Sequence, residues 1–371
     1  MRFVPSACLR EGMINGRDLY GKDGILMLRQ GQEITAININ RINSLGYQGI
    51  YIVDEISKDI DVQSVIDDVL RQKTIGAVKH VFDCIQKNDS AKFTANIEHT
   101  KVLVENIIDE MMDNKDLIIN MVDLKMFDDY TYYHSVNVAV LSIVMGISLN
   151  LSKKELYNLG LGALLHDIGK VFVPKDILNK KGQLNNEELS EVQSHSERGY
   201  HYLREIWDIP LKSYMAVLYH HEKFDGSGYP KGKKTTEIHL FGRIIAIADV
   251  YDALISDRPY RKALLPSEAV EYVMGGSGIL FDPDLVKVFV KKVAPYPLGT
   301  CVKLSNGDVG IVIQNYEDAC LRPKLKLFMK RQEESILDLK SDEKSWNVTI
   351  VDIVDDIEKF VYDNKEENAV S

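Results

Sequence analysis

The sequence predicts a mainly α protein, in which a helical central domain is flanked by a small α/β unit and a small β-rich appendage. The 371 residues suffice for about two domains, each able to bury a core without disulfides or a structural metal. The centre is a succession of apolar segments bounded by residues that start and stop helices. The two ends carry short apolar runs around turn residues, a pattern typical of strands.

The pattern of residues 1–56 predicts the small α/β unit, whose role the sequence does not indicate. The segment ILMLRQGQEI predicts a strand and a turn, TAININRINSLG a short helix ending at Gly46, and YQGIYIVD a strand. Residues 57–126 predict a helical connector, because apolar residues recur there at three- and four-residue spacing. Those residues are Val102, Leu103, Ile107, Ile108, Met111 and Met112.

Residues 127–296 predict the central all-helical domain. Two of its helices begin at capping-box signatures, in which a polar first residue is followed three positions later by glutamate. These signatures and the other helix boundaries are Ser152 with Glu155, Asn185 with Glu188, the start at Asp282–Pro283 and the stop at Gly275–Gly276. Residues 297–371 predict the β-rich appendage, because TCVKLSNGDVGIVIQ places two apolar runs around Asn306–Gly307 and NVTIVDIV predicts a further strand.

One uncharged stretch, Tyr130 to Ser152, is long enough to cross a bilayer. It contains His134, Asn137, Asn150 and four serines, which lipid would disfavour, and it lacks a basic flank. We therefore predict a buried core helix and no membrane span.

The charge balance argues against partners that bind a protein through an extended positively charged surface. Lysine and arginine total 45 against 55 aspartates and glutamates, and the resulting charge of −10 is spread along the chain. This argues against a nucleic-acid polymer or an anionic membrane surface as a partner, so an anionic ligand needs a local positive site. The four cysteines are far apart and no secretory signal is present, so we expect free buried thiols and a cytoplasmic protein.

Five of the nine histidines form an ordered series with two aspartates. The series runs His134, His166, Asp167, His195, His220, His221 and Asp249. A single histidine in an apolar helix is usually structural, but His166–Asp167 and Asp249 both lie in strongly apolar segments, where unpaired ionisable groups are costly. Imidazole and carboxylate suit Fe, Mn, Zn, Ni or Co, and this many ligands exceeds what one ion needs. The sequence therefore predicts two divalent metal ions.

The same residues carry a family resemblance. HSVNVAVLS, LLHDIGK, HSERG, HHEKFDGSGYPKG, RIIAIADVYDAL and RPYRKA, in this order across residues 127–296, resemble the HD-GYP branch of the HD phosphohydrolases. The resemblance implies an all-helical HD-type domain that hydrolyses cyclic di-GMP to pGpG or GMP through water held between two metal ions. Fe or Mn are the expected ions.

The resemblance also implies roles for individual residues. His134, His166, Asp167 and Asp249 would hold one metal, and Asp167 would bridge to a second held by His195, His220 and His221. Asp167 and Lys170 would be catalytic, and the substrate would contact Lys170, Arg258, Arg261, Gly228 and Tyr229. The loop that contains Gly228 and Tyr229 shapes the pocket in this prediction or docks a protein partner.

One position departs from the family pattern. Some members place a glutamate one turn before the first histidine, where it helps bind a third metal, but this chain has Tyr130 there. Asp129 is one residue off that helical face, so two metals are expected. The remaining histidines, His80, His99, His201 and His239, match no motif position and are expected to be structural. Asp252, three residues after Asp249, is equally compatible with a supporting role behind the ligands and with an ordinary polar position.

Three alternative functions stay open on the sequence alone. The substrate could be another cyclic dinucleotide or a nucleotide phosphate, because metals and a lysine recognise phosphate and not the base. A di-iron oxygenase is a second alternative, disfavoured by Lys170 and the two arginines. A non-catalytic adaptor is the third, disfavoured because every expected ligand position except Tyr130 is filled. A homodimer is also compatible with the sequence.

Overall fold

The chain forms two compact units in a computed structural model that describes residues 1–21, 24–87, 89–114, 118–119, 130–180, 182–206, 208–256, 262–328 and 335–357. The first unit comprises Met1–Ser64, Ile118–Asp128 and Val293–Ser371. The second comprises Val65–Leu117 and Asp129–Lys292. The predicted fold class is confirmed: the second unit is helical, and the strands lie in the first.

The helices begin close to the predicted boundaries. They are α1 (Ala36–Ser44), α2 (Asp68–Gln86), α3 (Ser90–Asp113), α4 (Tyr130–Ser148), α5 (Lys153–Leu164), α6 (Lys175–Leu178), α7 (Asn186–Gln193), α8 (His195–Arg204), α9 (Leu211–Tyr219), α10 (Leu240–Leu254), α11 (Pro266–Gly275) and α12 (Pro283–Lys292). Both predicted capping boxes form: the side chains of Ser152 and Asn185 each accept from the backbone N–H of the glutamate three residues on, and the carboxylate of that glutamate accepts from the backbone N–H of the cap residue. These caps fix the residues at which α5 and α7 begin.

The uncharged helix α4 is the centre of the helical unit. It packs against α5, α10 and α2, and its side chains from Tyr133 to Met145 are almost all buried. No helix among the described residues is long and apolar enough to span a membrane. The prediction of a core helix is therefore confirmed, and α4 holds its polar residues, His134 and Asn137, inside the unit.

The strands among the described residues form three antiparallel sheets. They are β1 (Arg2–Pro5), β2 (Ile14–Asn15), β3 (Leu19–Tyr20), β4 (Leu26–Leu28), β5 (Gly49–Val53), β6 (Cys301–Leu304), β7 (Val309–Gln314), β8 (Lys324–Leu327), β9 (Ser335–Asp338) and β10 (Ile350–Ile353). The sheet orders are β1-β5-β2, β3-β4 and β10-β6-β7-β8-β9. The predicted hairpin forms between β6 and β7, where Gly307 adopts a positive φ of 89° and Asn306 accepts from the Asp308 backbone.

The two ends of the chain share one hydrophobic core within the first unit. Tyr51, Ile60 and Val62 from the N-terminal segment pack with Val309 and Ile311 from the C-terminal segment. The sequence predicts these segments as two separate regions, because the spacing of apolar residues within each segment does not indicate that the two pack together. The predicted boundaries at residues 56, 126 and 296 stay predictions.

We expect Ile311→Ala to loosen the N-terminal strands as well as its own. Ile311 is fully buried in the shared core, and deleting such a side chain costs about 2–5 kcal/mol. Hydrogen–deuterium exchange should therefore accelerate in β1 and β5 as well as in β6 and β7. Ile336→Ala is the control, because Ile336 is 63% exposed. Faster exchange confined to the C-terminal strands would contradict the shared core.

Candidate metal centre

The predicted HD pair lies at the end of an apolar helix. Helix α5 ends at Leu164, and His166 and Asp167 follow in the turn that leads into a 3-10 helix, Ile168–Phe172. Both side chains are buried. Adjacent side chains in a helix point in clearly different directions. Because α5 has already ended, the side chains of His166 and Asp167 are free of this restriction and lie at the same cluster.

A close approach of two backbones brings the next histidine to this pair. A Cβ on Gly169 would lie 1.8 Å from the carbonyl oxygen of His195, and a Cβ on Gly199 would lie 3.1 Å from the Gly169 nitrogen. Only glycine permits such contact between the 3-10 helix and α8. His195, the first residue of α8, is thereby placed with its Nε2 3.5 Å from Oδ1 of Asp167.

The remaining predicted ligands come from α4, α9 and α10. His220 and His221 follow the last residue of α9, so this helix end points at the cluster as two adjacent ligands require. His134 lies on α4 and Asp249 on α10, with 3.1 Å between His134 Nε2 and Asp249 Oδ1. All seven predicted residues therefore meet in one place.

The candidate ligand atoms fall into three overlapping groups, each with all its atoms within 4.8 Å of one another. Asp167 belongs to two of them, which agrees with a carboxylate between two ions. The groups are Asp167, His195, His220 and His221; His134, His166 and Asp167; and His166, His220 and Asp249. The described residues thus contain a His/Asp cluster able to hold metal.

Local hydrogen bonds set the tautomer of three histidines. Nδ1 of His166, His195 and His220 each lies 2.7 Å from the carbonyl oxygen three residues earlier in the chain. A carbonyl only accepts, so each Nδ1 carries the proton and each neutral ring keeps a lone pair on Nε2. The three Nε2 atoms are therefore prepared to bind a cation.

Two features of these Nε2 atoms fit a metal ion. The Nε2 atoms of His195 and His220 lie 3.3 Å apart, and with both protons on Nδ1 no hydrogen bond joins them. The buried Nε2 of His166 has no hydrogen-bond partner among the described residues, although Asp167 Oδ2 is 3.3 Å away. Facing lone pairs and an unpartnered buried nitrogen are costly unless a cation lies between them.

The two aspartates stay ionised. Burial raises the pKa of Asp167, but Lys170 and the neighbouring His166 and His195 outweigh it, so the pKa lies well below its usual range. The pKa of Asp249 is likewise lowered, because burial is outweighed by the hydrogen bond and charge of His134 and by other histidines. Carboxylates ionised at neutral pH are the form that binds cations.

Three of the histidines are held neutral. Burial lowers the pKa of His195, and burial together with neighbouring histidines holds the pKa of His220 well below its usual range. Burial also lowers the pKa of His221 to about 3. Neutral imidazole is the ligating form, so the protein does not need to release protons from these rings when it binds metal near neutral pH.

A cavity of about 530 Å³ opens beside the cluster. His134, Asp167 and Lys170 line it together with Tyr132 and Lys175. Lys170 donates to Asp167 Oδ2 at 2.5 Å and is partly exposed to the cavity. The cluster is therefore accessible to a ligand and carries a cation at its edge.

The loop that contains Gly228 and Tyr229, called here the glycine-rich loop, supports His221. The ring of Tyr229 stacks on the His221 ring, with 4.8 Å between their centroids, and the Tyr229 nitrogen donates to the His221 carbonyl at 3.2 Å. Gly228 approaches the backbone so closely that a Cβ there would lie 2.3 Å from the Lys223 nitrogen. Buried Glu222 accepts from the backbone of Lys231 at 2.7 Å. The substrate contacts predicted for Gly228 and Tyr229 stay predictions.

Several predicted positions lie outside the described residues. These are Arg258, Arg261 and Asp129, and the side chain of Tyr130 also lies outside them. His239 has a structural role, because its side chain accepts from the Phe241 nitrogen at the start of α10. Asp252 lies behind the cluster, with its Oδ2 2.6 Å from His134 Nδ1.

The sequence did not identify Arg71, Asn137 or Glu222 as part of the site. Asn137 and Arg71 continue the contact behind Asp252, and Glu222 holds the glycine-rich loop. Asn137 carries a weak signal, since it is a polar residue three positions after His134 in an apolar helix. Arg71 carries none, because its partner is 66 residues away.

We expect Gly169→Ala to destabilise the helical unit. The added methyl would meet the His195 carbonyl, and overpacking of this kind costs about 1–3 kcal/mol or more. Gly76→Ala in α2 is the matched control, because nothing lies within 4 Å of the new methyl and alanine favours a helix. Thermal unfolding should show a lower melting temperature for Gly169→Ala only. Equal melting temperatures would contradict the close approach.

We expect the metal-free protein to lose stability as the pH falls below about 6.5. The pKa of His195, His220 and His221 is lowered on folding, so the unfolded chain binds more protons in acid. Each such histidine removes up to about 1.4 kcal/mol per pH unit between its unfolded and folded pKa, which for His221 extends to about 3. Urea unfolding with a chelator at several pH values measures this, and His221→Gln should flatten the profile. A free energy of unfolding that is constant or rises towards pH 5 would be the contrary result.

Comparisons with known proteins match the part of the chain that contains the His/Asp cluster. A family model described as an HD domain matches residues 87–285. The chain is 37% identical over 236 residues to the cyclic di-GMP phosphodiesterase PA4108 of Pseudomonas aeruginosa, which covers 64% of this chain and 57% of that protein. It is 31% identical over 246 residues to a cyclic di-GMP phosphodiesterase of Thermotoga maritima, which covers 64% of each chain.

A third relative differs in its named substrate. The chain is 39% identical over 163 residues to the 3'3'-cGAMP-specific phosphodiesterase 1 of Vibrio cholerae, covering 44% of this chain and 37% of that protein. The chain thus spans less than two thirds of the length of these relatives. The HD model covers more than half of the chain, and the family resemblance seen in the sequence is confirmed. On this match, and with the His/Asp cluster it encloses, the chain belongs to the HD domain family.

Proposed function

We propose that this protein is a metal-dependent phosphodiesterase that hydrolyses cyclic di-GMP to pGpG, GMP or both. The observation that carries the proposal is the convergence of five histidines and two ionised aspartates beside a cavity that His134, Asp167 and Lys170 line. The named activity of the first two relatives supports the substrate.

The proposed centre holds two divalent ions. His134, His166, Asp167 and Asp249 would hold one, and Asp167 would share the second with His195, His220 and His221. The groups of ligand atoms that contain Asp167 support this division. When bound, two such cations lower the pKa of water and neutralise negative charge on a phosphodiester. Fe or Mn fits the mixed imidazole and carboxylate set, and Zn, Ni or Co is compatible with it.

The chain's own residues supply the rest of the chemistry. Asp167 and Lys170 are the proposed catalytic residues, and the ammonium group reaches the cavity while it donates to the carboxylate. There it would donate to a phosphate oxygen and stabilise charge on the leaving oxygen. The buried walls around His195 and His220 exclude water behind the ligands, which strengthens each of these interactions.

Substrate recognition needs short-range positive charge. A chain with a net charge of −10 repels a dianionic dinucleotide at long range, so Lys170, Arg258 and Arg261 are the proposed contacts. Arginine binds phosphate and guanine edges with two parallel hydrogen bonds. Tyr229 and Gly228 would shape the same pocket, and the loop that contains them is a proposed surface for a protein partner.

A second candidate substrate is 3'3'-cGAMP. The observation that favours it is the 39% identity to a relative named for that substrate. Both dinucleotides present the same phosphodiesters and differ in one base, so the metal centre does not discriminate between them. Cyclic di-GMP is preferred here because its named relatives match over a larger share of the chain.

The test is hydrolysis by protein purified without oxygen and loaded with Fe or Mn. Cyclic di-GMP, 3'3'-cGAMP and GTP are incubated with it separately, and chromatography identifies the products. Release of pGpG or GMP at the greatest rate from cyclic di-GMP supports the proposal. Faster cleavage of 3'3'-cGAMP would make that dinucleotide the substrate in place of cyclic di-GMP. Oxygen uptake without phosphodiester cleavage would indicate a di-iron oxygenase and contradict the proposed phosphodiesterase.

We expect Asp167→Ala to lose both metal ions, because its carboxylate is proposed to bind each of them. Elemental analysis of the purified variant should show close to no Fe or Mn, whereas the parent carries about two ions. Asp225→Ala is the control, since this exposed aspartate lies outside the cluster. A variant that keeps one full ion would show that Asp167 does not bridge.

We expect Arg258→Ala or Arg261→Ala to weaken binding of cyclic di-GMP about ten- to a hundredfold. A charge-assisted contact contributes about 1.5–3 kcal/mol when water is excluded, which corresponds to that range. Isothermal titration with a non-hydrolysable analogue measures the affinity, and metal content should be unchanged. Lys287→Ala, at an exposed position of α12, serves as the control. Parent-like affinity in both arginine variants would remove these contacts from the proposal.

A further inference from the structure

A buried polar chain lies behind His134, and it consists of Asp252, Asn137 and Arg71. Nδ1 of His134 is 2.6 Å from Asp252 Oδ2, and Asn137 Nδ2 donates to Asp252 Oδ1 at 3.0 Å. Nη1 of Arg71 then donates to Asn137 Oδ1 at 2.7 Å. His134, Asn137 and Asp252 are almost completely buried, and Arg71 is half-buried.

The hydrogen bonds in this polar chain have one possible direction. The guanidinium group of Arg71 only donates, so the amide oxygen of Asn137 must face it and the amide nitrogen must face Asp252. The carboxylate of Asp252, when ionised, only accepts, so Nδ1 of His134 must carry the proton. Nε2 of His134 is thereby left on the cluster side of the ring, 3.1 Å from Asp249 Oδ1, as the atom that would bind a metal ion.

This polar chain gives His134 a support that differs from that of the other histidines. His166, His195 and His220 receive theirs from a carbonyl three residues earlier, which lies in the last turn of the preceding helix. His134 lies inside α4, where the preceding carbonyls belong to the helix. Its ring is instead held by α10 through Asp252 and by α2 through Arg71.

Arg71 lies outside the HD match, in a helix that precedes it. The match begins at residue 87, whereas α2 ends at Gln86. Helix α2 packs against α4, and Arg71 contributes a polar contact between them. The helix before the HD domain thus reaches a candidate metal ligand through side chains alone.

We propose that Arg71 is a positioning residue for the metal ligand His134, acting through Asn137 and Asp252. This inference rests on the metal centre of the proposed function. Arg71 touches neither metal nor substrate, and it fixes the orientation of the Asn137 amide. Without the guanidinium group, the amide can rotate and present its oxygen to Asp252, which disfavours the geometry that orients His134.

The test is the affinity of the metal-free protein for Mn²⁺, measured by titration and electron paramagnetic resonance of the free ion. Arg71→Met should weaken one of the two sites about tenfold, as loss of a supporting partner behind a ligand does. Arg71→Lys keeps a donor and should bind more tightly than Arg71→Met. Gln72→Met is the matched control, because Gln72 is the next residue of α2 and also contacts α4, through Tyr133.

A double-mutant cycle tests the route. Arg71→Met should have no further effect in an Asn137→Leu background, because the connection to Asp252 is already broken there. Additive losses would show that Arg71 acts elsewhere and would overturn the inference. Equal Mn²⁺ affinities for Arg71→Met and Gln72→Met would overturn it as well, and this comparison decides even if Asn137→Leu does not fold.

A measurement without metal separates this inference from the proposed function. In the metal-free parent, nitrogen NMR of labelled histidine should show His134 protonated at Nδ1. Arg71→Met should show a mixture of the two tautomers, and Gln72→Met should resemble the parent. An unchanged tautomer in Arg71→Met would overturn the inference, whereas a parent that binds no Mn²⁺ would instead overturn the proposed function.

Discussion

Hydrogen bonds on the Nδ1 atoms of four buried histidines are the interaction on which the rest of the centre depends. They hold all four rings with Nε2 towards the cluster, and in His166, His195 and His220 they place the proton on Nδ1, so that the Nε2 lone pair faces inward. Facing lone pairs beside ionised Asp167 and Asp249 are costly without a cation between them. The surrounding helices hold this arrangement, and a bound cation would relieve it.

The helical unit holds these groups through helix ends and close approach. Helices α5 and α9 end just before His166 and His220, which frees the carbonyls that accept from the rings. Gly169 lets α8 approach closely enough for His195 to join them. The apolar packing around α4 then buries the back of the cluster, and the cavity beside Lys170 gives access to it.

The contact between Arg71 and Asn137 gives α2 a second role besides packing. A helix that contributes only apolar area could shift by a fraction of an ångström at little cost, but a directional hydrogen bond restricts such movement. Residues before the HD match thereby connect to His134, and the proposed activity becomes dependent on more of the chain than the motif residues.

The sequence by itself determined the fold class, the capped helix starts, the Asn306–Gly307 hairpin and the seven members of the cluster, because each is written in local spacing or in a motif of adjacent residues. Tertiary structure alone decided which ring nitrogens face inward, the meeting of the N- and C-terminal segments in one core, and the contact from Arg71. These depend on residues far apart in the chain, and chain spacing carries no information about which distant side chains meet.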